Sequence, residues 1–286
     1  MERELWPLIY RTLQEAACEF RQKYVQYHPW VIAAVVLWAA LHDRPISWAC
    51  QRRHWSTTRL CPTRLPSASV VSRRCQRIAF GLFLNEITQR LQGTCLAGLI
   101  VVLDGKPLLV GGCSHDPEAR FGRAAGHIGR GYKLHAAWGA RAMPEAWEVA
   151  PLNVSELAAA HRLFGQLPGG YAIADANYDA TALYDRAAEC NYQLIANQVD
   201  PNPGTGHRRQ SPFRLRCIAM LQTSFGQNLF RIRTLIERCF AHATTFGGGL
   251  APLPAWVRRS RRVQLWVWAK LALNATRIQF RQRLAA

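Results

Sequence analysis

Apolar residues in the middle of this chain fall into short continuous runs, and the segments between them carry Gly, Pro and charge. LAGLIVVLD (96–104), KPLLVGG (106–112) and GYKLHAAWG (131–139) each read as a strand, and AWEVAPL offers a further one. SELAAAHRLFGQL (155–167) has helical spacing with Ser155 at its cap, GYAIAD (170–175) is a strand, ATALYDRAAEC (180–190) a helix and YQLIANQ (192–198) a strand. DPNPGTGHRRQSPF (200–213) sustains neither helix nor central strand and reads as an exposed loop.

Upstream the pattern is helical. Pro29 and Trp30 open a helix to about His42, and DRPISWACQRRHW suggests a second with Pro45 in its first turn. LPSASVVSRRCQRIAF suggests a third, capped by Ser67, with Val70, Val71, Cys75, Ile78 and Ala79 as its apolar face. Three strands, then helix, strand, helix, strand and a later helix is the order of an α/β fold of the ribonuclease H-like kind, a mixed sheet flanked by helices. A small all-α, helix-turn-helix-like region precedes it. A doubly wound nucleotide-binding fold is the rival, but it wants a Gly-rich turn from first strand to helix, and here the first strand leads into another strand. The expected division is a helical region over residues 1–95 and a catalytic α/β domain over 96–286 that includes the basic C-terminal helices.

Charge sharpens the picture. The 286 residues carry 36 Lys and Arg against 18 Asp and Glu, a net charge of +18, which points to a polyanionic partner, nucleic acid first. Residues 44–90 hold nine Arg and a single acid, Glu86; residues 201–286 hold fifteen Arg or Lys and a single acid, Glu237. On the third helix Ser69, Ser72, Arg73, Arg74, Gln76 and Arg77 fall on or beside the polar surface, as side chains that read bases and phosphates would; a solvated basic helix is the plainer reading. The run Trp30–Leu41 is too short to span a bilayer. With no signal-peptide pattern at the start, the expected location is cytoplasmic. Nine Cys without a C-x-x-C pair argue against a disulfide framework or a structural zinc.

The acids left over carry the chemistry. Asp104 and Asp175 close apolar strands, where a mixed sheet can hold two side chains at one edge, and two carboxylates so placed repel unless a cation sits between them. Glu237 flanks the stripe Ile232, Leu235, Ile236, Cys239 and Phe240 of a helix, with Arg233 one turn earlier. Its ordinary role would be an ion pair with Arg233, worth a few tenths of a kcal/mol; its isolation among basic residues argues for more.

The strings DGKPLLVGGCSHDPEARFGR with GYKLHA, ADANYDATALYD and RTLIERCFAHATTFGGGL resemble the three catalytic blocks of DDE transposases of bacterial insertion sequences, and LPSASVVSRR resembles the last helix of their DNA-binding region. The resemblance runs from about residue 43 to about residue 278, with the acids 71 and 62 positions apart, and is to the insertion-sequence-four/five superfamily. Of the Tyr, Arg, Glu, Lys signature in the insertion-sequence-four group the chain matches Arg233 and Glu237 and has Phe230 and Thr244 at the other two positions. No large domain fits between Asp175 and Glu237, which favours the smaller insertion-sequence-five group.

The resemblance implies Asp104, Asp175 and Glu237 as a catalytic triad holding two Mg²⁺ ions, for which Mn²⁺ can substitute, roughly 4 Å apart. It implies hydrolysis at the element's ends, strand transfer of the 3′-hydroxyl into target DNA, and a homodimer on paired double-stranded ends at the bacterial nucleoid, with no membrane partner. Lys133 and Arg233 are candidate DNA contacts; Tyr178, Asp179 and His135 are candidate supports of the triad, Asp179 being an equal candidate to cap the next helix. Two other readings stand beside it: an inactive transposase-derived DNA-binding protein, and a ribonuclease H-like nuclease that cuts without joining.

Overall fold

The computed structural model describes residues 2–20, 26–93, 98–112, 115–124, 126–199, 210–245 and 249–285. Most of the loop expected at 200–213 lies outside them. Two compact units divide the chain: residues 1–95, 243–250 and 265–286 form one, and residues 96–242 and 251–264 the other. Residues 265–286 therefore group with the N-terminal helices and not with the sheet.

The first unit is all helical: α1 (Glu2–Glu19), α2 (Pro29–Leu41), α3 (Ile46–Ala49), α4 (Ala68–Arg74), α5 (Ile78–Gln92) and the distal part of α11 (Ser260–Ala285). α2 is apolar on all sides and buried along nearly its whole length, as an all-round hydrophobic helix must be. Around it Trp38 stacks on Trp55 with centroids 4.6 Å apart, and Trp6 meets both edge-on. Each of these indole N–H groups has a carbonyl acceptor, at Leu60, His54 and Ala49 for Trp6, Trp38 and Trp55, so this trio is buried with its donors paired. Lys270 on α11 is buried too, donating to Asp43 at 2.6 Å and the Ala40 carbonyl at 2.7 Å beside the Trp266 ring.

Two helical expectations change. The segment from Pro45 forms only the single turn α3 and a 3-10 turn over Arg52–Trp55. The third helix, capped by Ser67 as expected, stops at Arg74; Arg77 is extended (φ −80°, ψ 142°) and caps a new helix, α5. Ile78 is consequently 83% exposed and no part of an apolar face, while Val71 is fully buried.

The second unit is built on six strands: β1 (Ile100–Leu109), β2 (Arg120–Ala124), β3 (His127–Trp138), β4 (Ala146–Pro151), β5 (Gly170–Ala174) and β6 (Tyr192–Ala196). β3 lies antiparallel to β1, and β5 and β6 continue parallel on β1's other side. β2 and β4 share the far edge of β3, one after the other. α6 (Glu156–Phe164) and α7 (Thr181–Glu189) connect the parallel strands; α8 (Pro212–Leu221), α9 (Ser224–Arg231) and α10 (Thr234–Thr245) follow. An antiparallel trio, β4-β3-β1, extended by parallel β5 and β6 is the ribonuclease H-like sheet.

The expected turn after Asp104 does not exist: the parts of the two runs on either side of it form one continuous strand, β1 (Ile100–Leu109). The chain can stay extended because Gly105 has nothing to place where the Lys133 and Glu156 side chains lie; a Cβ there would stand 2.7 Å from Lys133 Cδ and 3.0 Å from Glu156 Oε1. Pro107 is tolerated because β5 stops pairing at Val102↔Ile173, so the edge lacking its N–H needs no donor. The trio thus uses β4, read from sequence as an optional strand, and β2 was not anticipated. On α11 the Trp266 and Trp268 side chains are buried, as expected of a core-facing helix.

Asp116 ties this unit together. Its carboxylate accepts from Tyr132 Oη at 2.8 Å and from the backbone N–H of Arg259 and Glu118 at 2.8 and 3.1 Å. These bonds hold its carboxyl below the usual range even though the side chain is buried. Asp116→Ala leaves a tyrosine hydroxyl and two amides without their acceptor, and is expected to lower stability by about 2–4 kcal/mol; chemical denaturation of the variant measures it, and a loss under about 1 kcal/mol contradicts the assignment.

Candidate active site

Asp104 and Asp175 meet at the edge of the sheet. The parallel ladder ends at Val102↔Ile173, and two residues further along each chain stand the two acids, so the register that pairs β1 with β5 sets them side by side. Asp104 Oδ1 accepts from the Gly105 amide at 2.7 Å, and Asp175 caps a 3-10 turn (Ala176–Tyr178), accepting from the Asn177 amide at 2.9 Å and its side chain at 3.2 Å. These bonds fix both carboxylates in place.

Burial pushes the Asp104 carboxyl up to about 6, aided by the charges of Glu156 and Asp175 and opposed by Gly105 and Arg233. Asp175 is raised too, chiefly by burial and then by Glu156, against the Asn177 bonds and Arg233. Tyr178, buried below the pair, is pushed far above its ordinary range by burial and by the charges of Glu156, Asp104 and Asp175.

The third acid acting on this pair is Glu156, at the first position of α6, which sequence reasoning passed over. An acid in the first turn complements the helix dipole wherever it occurs, so nothing in the string marks it. Its Oε1 accepts from Lys133 Nζ at 2.9 Å, in a pair largely shielded from water. Lys133 is therefore an ion-pair partner at the site. His135, opposite Gly105, is 1% exposed with neither ring nitrogen hydrogen-bonded, and burial together with Lys133 and Arg162 lowers it to about 4. It is neutral near pH 7.

Glu237 is placed differently. It is exposed, with its carboxylate 3.1 Å from Arg233 Nη1 one turn back. Arg233 in turn acts electrostatically on both Asp104 and Asp175, lowering each, so the same side chain serves Glu237 and the acid pair. Among the described residues no three His, Cys, Asp or Glu side chains are gathered closely enough to hold a metal ion. The pair is assembled; the triad is not.

Asp179 does not cap the next helix: Ala180 stands at the cap of α7, and Asp179 takes a two-pronged bond from Arg214 on α8, 2.7 Å at each oxygen. In the helical unit Ser69, Ser72, Arg73, Gln76 and Arg77 are exposed, whereas Arg74 donates to the Tyr27 carbonyl at 2.7 Å.

A ribonuclease H-like sheet with two half-buried acids side by side, one within β1 and one just past β5, fits a phosphodiester-processing class of protein. Residues 97–274 match the family described as "Transposase DDE domain", well over half of the chain, and the chain belongs to that family. No curated protein and no solved structure matches it. The family generally depends on divalent metal and acts on DNA. No helix among the described residues is long and apolar enough to cross a membrane.

The raised Asp104 has a stability consequence. Its folded value, about 6, exceeds its ordinary 3.8, so the folded chain holds a proton that the unfolded chain releases, and stability falls as pH rises from about 4 to 6. Asp104→Asn, neutral throughout, is expected to exceed wild type by about 3 kcal/mol at pH 7.5 in chelator and to match it near pH 4. Denaturant midpoints at the two pH values test this; a variant less stable than wild type at pH 7.5 contradicts it.

Proposed function

We propose that the protein is a DNA transposase that cleaves at the ends of an insertion sequence and transfers the 3′-hydroxyl into target DNA, with Asp104, Asp175 and Glu237 as its metal-holding carboxylates. The observation that carries this reading is the Asp104–Asp175 pair, two acids whose mutual repulsion and burial favour a cation between them. Its donors are all carboxylate oxygens, which suit two Mg²⁺ ions, with Mn²⁺ as substitute. A divalent ion bound there supplies positive charge for attack on phosphorus and for the departing oxygen.

The chain's own residues supply the rest. Arg233 holds Glu237 in the DNA-free protein; a phosphate of bound DNA competes for that guanidinium and frees Glu237 to join the pair. Lys133, held by Glu156, places a cation beside the strand that carries Asp104. Tyr178 floors the pair, and the Asp179–Arg214 clamp fixes the turn that carries Asp175. Ser69, Ser72, Arg73, Gln76 and Arg77 supply the exposed surface for recognising transposon ends, and two copies of the chain act on paired ends as a homodimer in one synaptic complex.

Glu237→Gln keeps the helix and removes the carboxylate. Binding of end DNA is expected to hold or tighten slightly while cleavage and strand transfer in Mg²⁺ fall by about 10³-fold or more, and Asp104→Asn and Asp175→Asn behave alike, with double variants no worse than single ones. Gel assays with labelled ends check it; cleavage by Glu237→Gln near the wild-type rate contradicts the triad, and cleavage without joining by the wild-type chain favours a nuclease.

Arg73→Ala with Arg77→Ala is expected to abolish the preference for end DNA and to lower the salt slope of binding by about two, with folding intact. Arg74→Ala instead lowers the melting temperature, because its guanidinium serves the Tyr27 carbonyl. Unchanged end preference in the double variant removes this helix from the reading.

A further inference from the structure

The sheet unit carries a second basic surface far from the acid pair. The sequence VRRSRRV (257–263) leads into α11, and two acids of the loop before β2 hold its backbone. Asp116 takes the Arg259 amide at 2.8 Å and Glu118 takes the Ser260 amide at 2.9 Å. The chain's own carboxylates thus occupy the start of this helix. Arg259 and Arg262 are left exposed next to the β2–β3 hairpin, where Arg120 and Arg123 are exposed as well.

The hairpin is a fixed platform. Gly122 and Gly129 pair across it, and a Cβ on either would run into Leu152 or Leu109, at 2.4 and 2.6 Å respectively. That face is therefore packed flat against the body of the unit. The opposite face presents Arg123 between Phe121 and Ile128, 69% and 76% exposed.

We infer that this platform, formed by Arg123, Arg259 and Arg262 around Phe121, binds the backbone of duplex DNA away from the point of cleavage. A second copy of the chain would bring a net charge of +18 against this patch, whereas duplex DNA brings about one negative charge per 1.7 Å. The spacing follows from β3: Ala136 stands opposite Asp104, and Gly129, opposite Gly122, is seven residues further along the same strand. At about 3.3 Å per residue that is roughly 23 Å, or about seven base pairs of duplex at 3.4 Å each. The inference takes from the proposed function only that the ligand is DNA.

The test uses the full chain and a labelled end duplex of about 40 base pairs, titrated at several salt concentrations. Arg123→Ala, Arg259→Ala and Arg262→Ala combined are expected to weaken binding at least tenfold and to make the salt slope shallower by about two to three. Backbone protection in a hydroxyl-radical footprint is expected to vanish about seven base pairs from the cut and to persist at the cut. If the triple variant fails to fold, Arg123→Gln alone is expected to lower the slope by about one. A folded variant with unchanged slope and footprint overturns the inference. Cleavage read in the same mixtures separates the two proposals: a reduced slope without any wild-type cleavage overturns the reaction and supports the platform, and normal cleavage with an unchanged slope overturns the platform alone.

Discussion

Two like charges held side by side set the terms for the sheet unit. Asp104 and Asp175 stand two residues beyond the last pair of a parallel ladder, so neither can separate from the other without breaking the register of β1 with β5. Each accepts a backbone hydrogen bond that fixes it in place, and burial keeps water from screening the repulsion. A folded chain that retains such a pair carries a standing electrostatic cost, relieved by a proton or by a cation.

The surroundings are arranged around that cost. Gly105 leaves room for the Lys133–Glu156 pair at β1, so a third carboxylate presses on the two acids while its own counter-charge stays next to it. Arg233 supplies compensating charge from the other side and occupies Glu237 meanwhile. The Asp179–Arg214 ion pair and the Asp116 hub spend two further acids on tying separate segments together. Of the acids in an otherwise basic chain, the structure thus uses some as struts and sets Asp104 and Asp175 side by side.

Much of this was legible in the string. Continuous apolar runs located β5, β6, α6 and α7 because each is bounded by Gly, Asn or a capping Ser, and those boundaries are local chemistry. The acid pair was legible because the register of two parallel strands sets equivalent positions side by side, even though β1 continues past Asp104. What was not legible depended on contacts distant in sequence. The Asp-Gly after the first apolar run reads as a turn until the Lys133 and Glu156 side chains are seen filling the space over Gly105. β2 has too few apolar residues to announce itself and is held by its glycine face. Ile78 fits a helical stripe, yet the extended Arg77 starts a new helix and turns it outward. Glu156 has no local mark that separates it from any first-turn acid.

Metal binding by the acid pair tests the account most directly. With Mg²⁺ or Mn²⁺ titrated into DNA-free protein at pH 7.5, the melting temperature of the wild-type chain is predicted to rise saturably, because a ligand held only by the folded state stabilises it. Chains carrying Asp104→Asn or Asp175→Asn are predicted to show no such rise. An equal rise in all three, or none in the wild type at millimolar metal, would contradict the claim that these two carboxylates are kept together for a divalent cation.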